Sequence, residues 1–143
     1  MNILLVEPFF TGSHKKWAEE YKQFSRHNIH ILSLPGYHWK WRMHGAAVTL
    51  AQQFMQLDFK PDLIIIDYVD LLSSKRNNRE RKDEIDDIYT STKGLARELK
   101  LPIWSVSQVN RAGAKDSIIE GDKAAGSYDK MMIADFAISL SRQ

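Results

Sequence analysis

The stretch Pro61-Asp62-Leu63-Ile64-Ile65-Ile66-Asp67 is a β-branched apolar run that ends in an acid. Comparable runs occur at Ile3–Val6, Ile29–Leu34 and Ile103–Val106, and a fifth, Phe136–Leu140, lies near the C-terminus. Continuous apolar runs, rather than alternating ones, are typical of strands covered on both faces of a parallel sheet. The sequence therefore predicts five parallel strands.

Segments with helical spacing separate these runs. Helices are predicted at Ser13–Arg26, Ala46–Leu57, Asp83–Leu99 and Ala124–Ile133. Ser13 is the predicted N-cap of the first helix, and Trp17, Tyr21 and Phe24 would form its apolar face. This alternation predicts a three-layer, doubly wound α/β domain of Rossmann-like or flavodoxin-like type, with strand order 2-1-3-4-5.

Length and composition limit the classes of protein that fit. A chain of 143 residues fits one domain. The absence of Cys excludes disulfides, thiolate metal sites and Cys nucleophiles. The net charge of +2 is too small to indicate a nucleic-acid or membrane partner. No run reaches the roughly 18 apolar residues of a membrane helix, and Met1–Glu7 is too short for a signal peptide. We expect a soluble chain of cytoplasmic-type composition, with its compartment left open.

The loop after the first strand contains Gly12, Ser13, His14 and Lys15. A glycine followed by a helix start and basic residues is a candidate phosphate site, because helix N-termini attract anions. It is not a Walker A loop, which needs two glycines where only Gly12 is present. The alternative is an ordinary strand-to-helix turn with solvated lysines.

A second candidate site interleaves aromatic rings with cations. It consists of Trp39, Lys40, Trp41 and Arg42. Rings can stack on bases while cations contact phosphates, so this pattern, together with Arg111, is a candidate nucleic-acid contact. The alternative is that these side chains cap a sheet edge or pack under a neighbouring domain.

The first 57 residues resemble the start of a known family. The residues that carry the resemblance are Asn2-Ile3-Leu4-Leu5-Val6-Glu7-Pro8-Phe9-Phe10, Gly12-Ser13-His14-Lys15, Leu34-Pro35 and Trp39-Lys40-Trp41-Arg42. They resemble the N-terminal part of a GT-B glycosyltransferase of the tRNA-queuosine mannosyltransferase-like family. The resemblance implies that a second Rossmann-like domain holds much of the sugar-nucleotide site, and 143 residues are too few to supply it.

The strand that ends at Asp67 has the form of a Walker B strand, whose acid holds Mg²⁺. Downstream, Gln108, Asn110 and Arg111 follow another strand. Together, residues of about 58–143 resemble the C-terminal part of a DnaB-type replicative helicase, a RecA-like ATPase core. The resemblance implies that Asp67 is the Walker B acid, Gln108 the sensor glutamine, and Asn110 and Arg111 the start of a DNA-facing loop.

Each of the two segments lacks part of the active site that its resemblance implies. Without a Walker A loop, Asp67 has no phosphate cradle against which to hold Mg²⁺, and the second glycosyltransferase domain is missing. We therefore expect no catalytic residue, no metal, no cofactor and no enzyme activity. The alternatives are a residual phosphate- or nucleotide-binding module and a nucleic-acid-contacting domain. No partner is required; a monomer is expected, with a dimer as the alternative.

The junction between the two resemblances falls around residues 57–62. Residues 1–60 carry a net charge of about +3 and residues 61–143 about −1, so the two parts also differ in charge. Natural fusions usually join whole domains through linkers, whereas this joint lies inside one predicted sheet. The interpretation is a single domain, 1–143, built as an engineered or recombined chimera of a 1–60 β-α-β-α half and a 61–143 β-α-β-α-β half.

Overall fold

A computed structural model of the chain describes residues 1–37, 39–72, 74, 80–108 and 129–138. Its four described strands are β1 (Asn2–Phe10), β2 (Asn28–Pro35), β3 (Leu63–Ile66) and β4 (Ile103–Ser105). All pairs are parallel and the order is β2-β1-β3-β4. The α/β class and the first four positions of the predicted order are confirmed. For the predicted fifth strand, residues 136–138 are not in a strand, and residues 139–140 lie outside the described part.

Helices connect the strands on both faces of the sheet. They are α1 (Gly12–Phe24), α2 (Trp39–Met55), α3 (Arg81–Leu99) and α4 (Asp129–Ile133), and a 3₁₀ turn, Val69–Leu71, follows β3. The predicted N-cap at Ser13 is wrong. Thr11 occupies the cap position in extended conformation without a side-chain cap, and the helix begins at Gly12, whose φ is +54°. A positive φ is accessible to glycine without the steric cost that a Cβ brings.

The core lies in two layers, because alternate side chains of β1 point to opposite faces. One layer holds Ile3 and Leu5 with Ala18 of α1, and the other holds Leu4 with Ala46 and Leu50 of α2. The predicted apolar face of α1 is only partly correct. Ala18 is the buried residue of that helix, whereas Phe24 is 77% exposed. A small residue faces the sheet because it lets α1 pack closely against the strands.

The register of the sheet fixes which side chains meet at its carboxyl edge. Val6 of β1 lies opposite Ile66 of β3, so Glu7 and Asp67, the next residue of each strand, are neighbours. The backbone N–H of Asp67 donates to the carbonyl oxygen of Val6 at 3.1 Å, which holds the two strand ends together. This edge is where ligands bind in open α/β sheets.

Among the described residues, no helix combines the length and the apolar character that a membrane span requires.

Candidate functional site

Glu7, His14 and Asp67 form a three-residue cluster at the carboxyl edge of the sheet. The Nδ1 atom of His14 lies 3.2 Å from Oε2 of Glu7 and 3.1 Å from Oδ2 of Asp67. Glu7 is 1% exposed, the Asp67 side chain 14% and the His14 side chain 34%. The two carboxylates therefore line the floor of the site, and the imidazole closes it from the solvent side. We call these three residues the Glu7–His14–Asp67 cluster.

Backbone contacts hold the two carboxylates in place. The Phe9 N–H donates to Oε1 of Glu7 at 2.8 Å, which leaves Oε2 to face His14. Asp67 is fixed by the β1–β3 pairing, and His14 sits in the first turn of α1. A close approach also fixes the loop before α1, because a Cβ on Gly36, just beyond β2, would overlap the side chain of Thr11.

The cluster shifts the proton affinities of its members. Burial raises the pKa of Glu7 to about 7, against the opposing effect of the Phe9 N–H, and the Asp67 charge adds to the rise. For His14, partial burial lowers the pKa, but the charges of Glu7 and Asp67 outweigh it, so the net direction is upward. Burial, followed by the charges of Asp67, Asp70 and Glu7, raises the pKa of Tyr68. Burial and neighbouring negative charges favour the protonated forms of a carboxyl group and a phenol.

The four residues of the predicted phosphate site surround the start of α1. Gly12, Ser13 and Lys15 are exposed, and His14 alone among the four turns inward to the carboxylates. The Lys15 ammonium lies 5.8 Å from the centre of the Phe10 ring and 3.8 Å from a Glu19 carboxylate oxygen. Phosphate binding here stays a prediction.

The predicted ATPase residues do not all come together. Asp67 enters the cluster, whereas Gln108 is exposed beyond β4 and makes no described bond to the cluster. Asn110 and Arg111 lie outside the described residues. The predicted nucleic-acid residues Trp39, Lys40, Trp41 and Arg42 fall in the first turns of α2, where the side chains are outside the described part. These roles stay predictions.

A second polar cluster lies next to the first and was missed from the sequence. Lys130 of α4 is 2% exposed; its ammonium lies 3.3 Å from Oδ2 of Asp70 and donates to the Ser107 hydroxyl. Ser107 in turn donates to Oδ2 of Asp70 at 2.8 Å. Burial and the Asp70 charge raise the pKa of Tyr89, whose ring lies beneath the ammonium. We call Asp70, Ser107, Lys130 and Tyr89 the Asp70–Lys130 cluster.

Glu7 is the central site residue that the sequence reasoning overlooked. The available signal was an acid directly after the apolar run of β1, the same pattern that singled out Asp67 after β3. Because the carboxyl ends of neighbouring parallel strands meet at one edge, two such acids are expected to lie together. No comparable signal joins Asp70 to Lys130, which are sixty residues apart.

Comparison with known proteins shows the family to which the chain belongs. Residues 2–76 match the family model described as tRNA-queuosine alpha-mannosyltransferase N-terminal, which covers more than half of the chain. The chain belongs to this mannosyltransferase N-terminal family. The match runs beyond the predicted boundary near residue 57 and includes β3. All three members of the Glu7–His14–Asp67 cluster therefore lie inside the family match.

The chain is also similar to replicative helicases, as expected. The DnaB helicase of Geobacillus stearothermophilus is 41% identical over 51 residues, which are 35% of this chain and 11% of the helicase. The DnaB helicase of Mycobacterium leprae is 36% identical over 84 residues, 56% of this chain and 14% of the helicase. The chain thus spans only a small part of these relatives. The family match and the longer helicase match each cover more than half of the chain, so some residues belong to both resemblances.

Solved structures share the fold of most of this chain. One solved ATPase domain superimposes with a TM-score of 0.60 at 16% identity, over 94% of this chain and 57% of that one. A DnaB-like replicative helicase, described in its interactions with primase, gives a TM-score of 0.50 at 17% identity, over 82% of this chain and 35% of that one. The first predicted resemblance is confirmed by the family match, and the second by the similarity to the helicase relatives and by the shared fold.

Proposed function

We propose that this chain is a non-catalytic α/β domain, formed by joining a mannosyltransferase-type segment to a helicase-type segment inside one sheet. The observation that carries the proposal is that the side chains of His14 and Glu7 fill the space beside Asp67. In a helicase-type ATPase the corresponding acid holds Mg²⁺ against the phosphates of the nucleotide. Here Nδ1 of His14 lies 3.1 Å from the Asp67 carboxylate, and the Glu7 carboxylate lies 3.2 Å from the same imidazole nitrogen.

The charge at this edge opposes a triphosphate. β1 is the direct neighbour of β3, so side chains at its carboxyl end lie beside Asp67. β1 supplies the buried Glu7 carboxylate there, and the loop after β1 is not a Walker A loop. Bringing the negative charge of a triphosphate beside two carboxylates in a partly buried site is unfavourable. The proposal is therefore that Asp67 does not support ATP hydrolysis.

Turnover assays test the proposal. The 143-residue chain is incubated with ATP and Mg²⁺, and separately with GDP-mannose, at protein concentrations high enough to detect slow turnover. We expect phosphate and mannose release no greater than in the Asp67→Ala variant. Release of either product well above that variant would overturn the proposal.

A phosphate- or nucleotide-binding module is the second candidate function. The observation in its favour is the N-terminus of α1, where Gly12 is exposed and Thr11 makes no side-chain cap, so the first-turn amides are not satisfied by a capping side chain. The measurement is the Tm in millimolar ATP. A rise in Tm that disappears in Lys15→Ala supports this candidate, and an unchanged Tm counts against it.

A further inference from the structure

We infer that Glu7, His14 and Asp67 bind one divalent transition-metal ion through side chains alone. Glu7 and His14 come from the β1–α1 region and Asp67 follows β3, so the site draws on two separate segments that the sheet brings together. The inference goes beyond the proposed absence of catalysis, since a metal held in this way needs no nucleotide.

The spacing of the ligand atoms fits a metal ion. Imidazole nitrogen and carboxylate oxygen bind Zn²⁺ at about 2.0–2.2 Å, which places neighbouring ligand atoms roughly 2.8–3.6 Å apart in octahedral or tetrahedral geometry. His14 Nδ1 lies 3.1 and 3.2 Å from the two carboxylate oxygens. All three ligand atoms lie within 4.8 Å of one another.

The two carboxylates of the cluster also favour binding of a cation. Among the described residues, the ion pairs of Glu7 and Asp67 are both made with His14. The Nδ1 atom carries one hydrogen or one lone pair, so it serves one carboxylate well and the other poorly. A divalent ion would contact all three groups at once and balance both carboxylate charges.

The ligands are held in place before an ion arrives. The Phe9 N–H fixes the far oxygen of Glu7 at 2.8 Å, and the Asp67 backbone is tied to Val6. Contacts of this kind orient metal ligands and change metal affinity by about 10- to 100-fold. The His14 side chain is one-third exposed, so the imidazole is accessible from solvent.

The ligand types select the class of metal. One imidazole with two carboxylates suits first-row transition ions, whereas Mg²⁺ prefers oxygen ligands, retains water and is usually held against phosphates. We therefore expect Zn²⁺ to bind and Mg²⁺ at the same concentration not to displace it.

Titration with Zn²⁺ tests the inference on the untagged 143-residue chain. Zn²⁺ is titrated against a competing chromophoric chelator, and the Tm is followed in parallel. We expect one equivalent of Zn²⁺ to bind and to raise the Tm. The variants His14→Ala and Asp67→Asn should each lower the affinity at least about tenfold. His27→Ala, which removes an exposed imidazole beyond the other end of α1, should leave it unchanged.

Each outcome either supports or overturns the inference. Circular dichroism confirms that each variant is folded, and Asp67→Asn, which preserves side-chain shape, decides the question if His14→Ala unfolds. Affinity that is equal in the wild type and both site variants, or no Zn²⁺ binding by the wild type, would overturn the inference. Turnover of ATP would overturn the proposed function while leaving this result intact, so the two failures can be told apart.

Discussion

The two polar clusters at the carboxyl edge differ in whether their charges are balanced. In the Asp70–Lys130 cluster, a buried ammonium faces a carboxylate at 3.3 Å and a hydroxyl bridges them. In the Glu7–His14–Asp67 cluster, two carboxylates share one imidazole nitrogen. The first contains a lysine ammonium of the chain itself opposite the Asp70 carboxylate. The second depends on a proton or another cation from solution.

This difference predicts separate roles for the two clusters. The Asp70–Lys130 cluster joins the 3₁₀ turn, the segment after β4 and helix α4, so it holds distant parts of the chain together. The Glu7–His14–Asp67 cluster joins neighbours that the sheet already holds and is partly open to solvent. We therefore expect substitutions in the first cluster to change stability, and substitutions in the second to change the response to pH and to metal ions.

The largest expected effect is on the Asp70–Lys130 cluster. Lys130→Met keeps most of the length of the side chain but leaves Asp70 without its ammonium partner in a largely buried position. Removing one member of a buried ion pair costs about 3–5 kcal/mol. Urea unfolding followed by Trp fluorescence measures the loss in free energy of unfolding.

Two further variants sharpen this prediction. Lys82→Met removes an exposed lysine paired with exposed Asp129 at 3.2 Å, so little change is expected. Combining Lys130→Met with Asp70→Leu removes both charges and should restore part of the stability. If Lys130→Met is no more destabilising than Lys82→Met, the Asp70–Lys130 cluster does not hold the fold together.

An intermediate effect is expected at the loop that positions His14. In Gly36→Ala the new methyl group would overlap the Thr11 side chain, so the loop before α1 must move. Overpacking of this kind costs about 1–3 kcal/mol. Thermal unfolding measures the loss in stability.

The Thr11→Gly background isolates this contact, because it removes the overlapping atoms. Introducing Gly36→Ala into that background should therefore cost less than introducing it into the wild type. An equal cost in both backgrounds would show that the contact between residues 11 and 36 does not constrain the loop.

The smallest expected effect is the pH dependence of stability. The pKa of Glu7 rises from 4.5 to about 7 and that of His14 rises from 6.5, so the folded state binds protons more tightly than the unfolded state. The resulting stabilisation is present at low pH and is lost as the pH rises through these folded-state values. Measured in EDTA, the free energy of unfolding should fall by about 1–2 kcal/mol between about pH 5 and pH 7.

Glu7→Gln isolates the contribution of the buried carboxyl. The amide keeps the shape but does not titrate, so the decline in stability over the same pH range should become shallower. Glu20→Gln, an exposed change on α1, should leave the pH profile as it is. A profile that is the same in wild type and Glu7→Gln would mean that burial and the Asp67 charge do not act on Glu7 as the structure implies.

Much of the fold was predictable because it depends on local patterns. The β-branched runs located β3 at Leu63–Ile66, and the proline at position 102 correctly ended α3 before β4. The start of α2 was placed seven residues late, at Ala46 rather than Trp39, because its first turns lack a clear apolar period. Local spacing also misjudged Phe24, which lies exposed at the end of α1.

The candidate site was predictable only in part, because it depends on which strands become neighbours. Asp67 was predicted as a Mg²⁺-binding acid, and His14 was predicted separately as part of a phosphate-binding loop. Their meeting required the parallel pairing of β1 with β3, which also brings in Glu7. The ion pair of Asp70 with Lys130 spans sixty residues and follows from tertiary packing alone.

The most direct test is a crystal structure of the 143-residue chain grown with ATP and Mg²⁺. We predict that His14 Nδ1 stays within hydrogen-bond distance of Glu7 and Asp67 and that no triphosphate lies beside Asp67. A triphosphate held by the loop from Gly12 to Lys15, with Mg²⁺ between its oxygens and Asp67, would contradict the proposed function. That result would show that the chain contains a working nucleotide site.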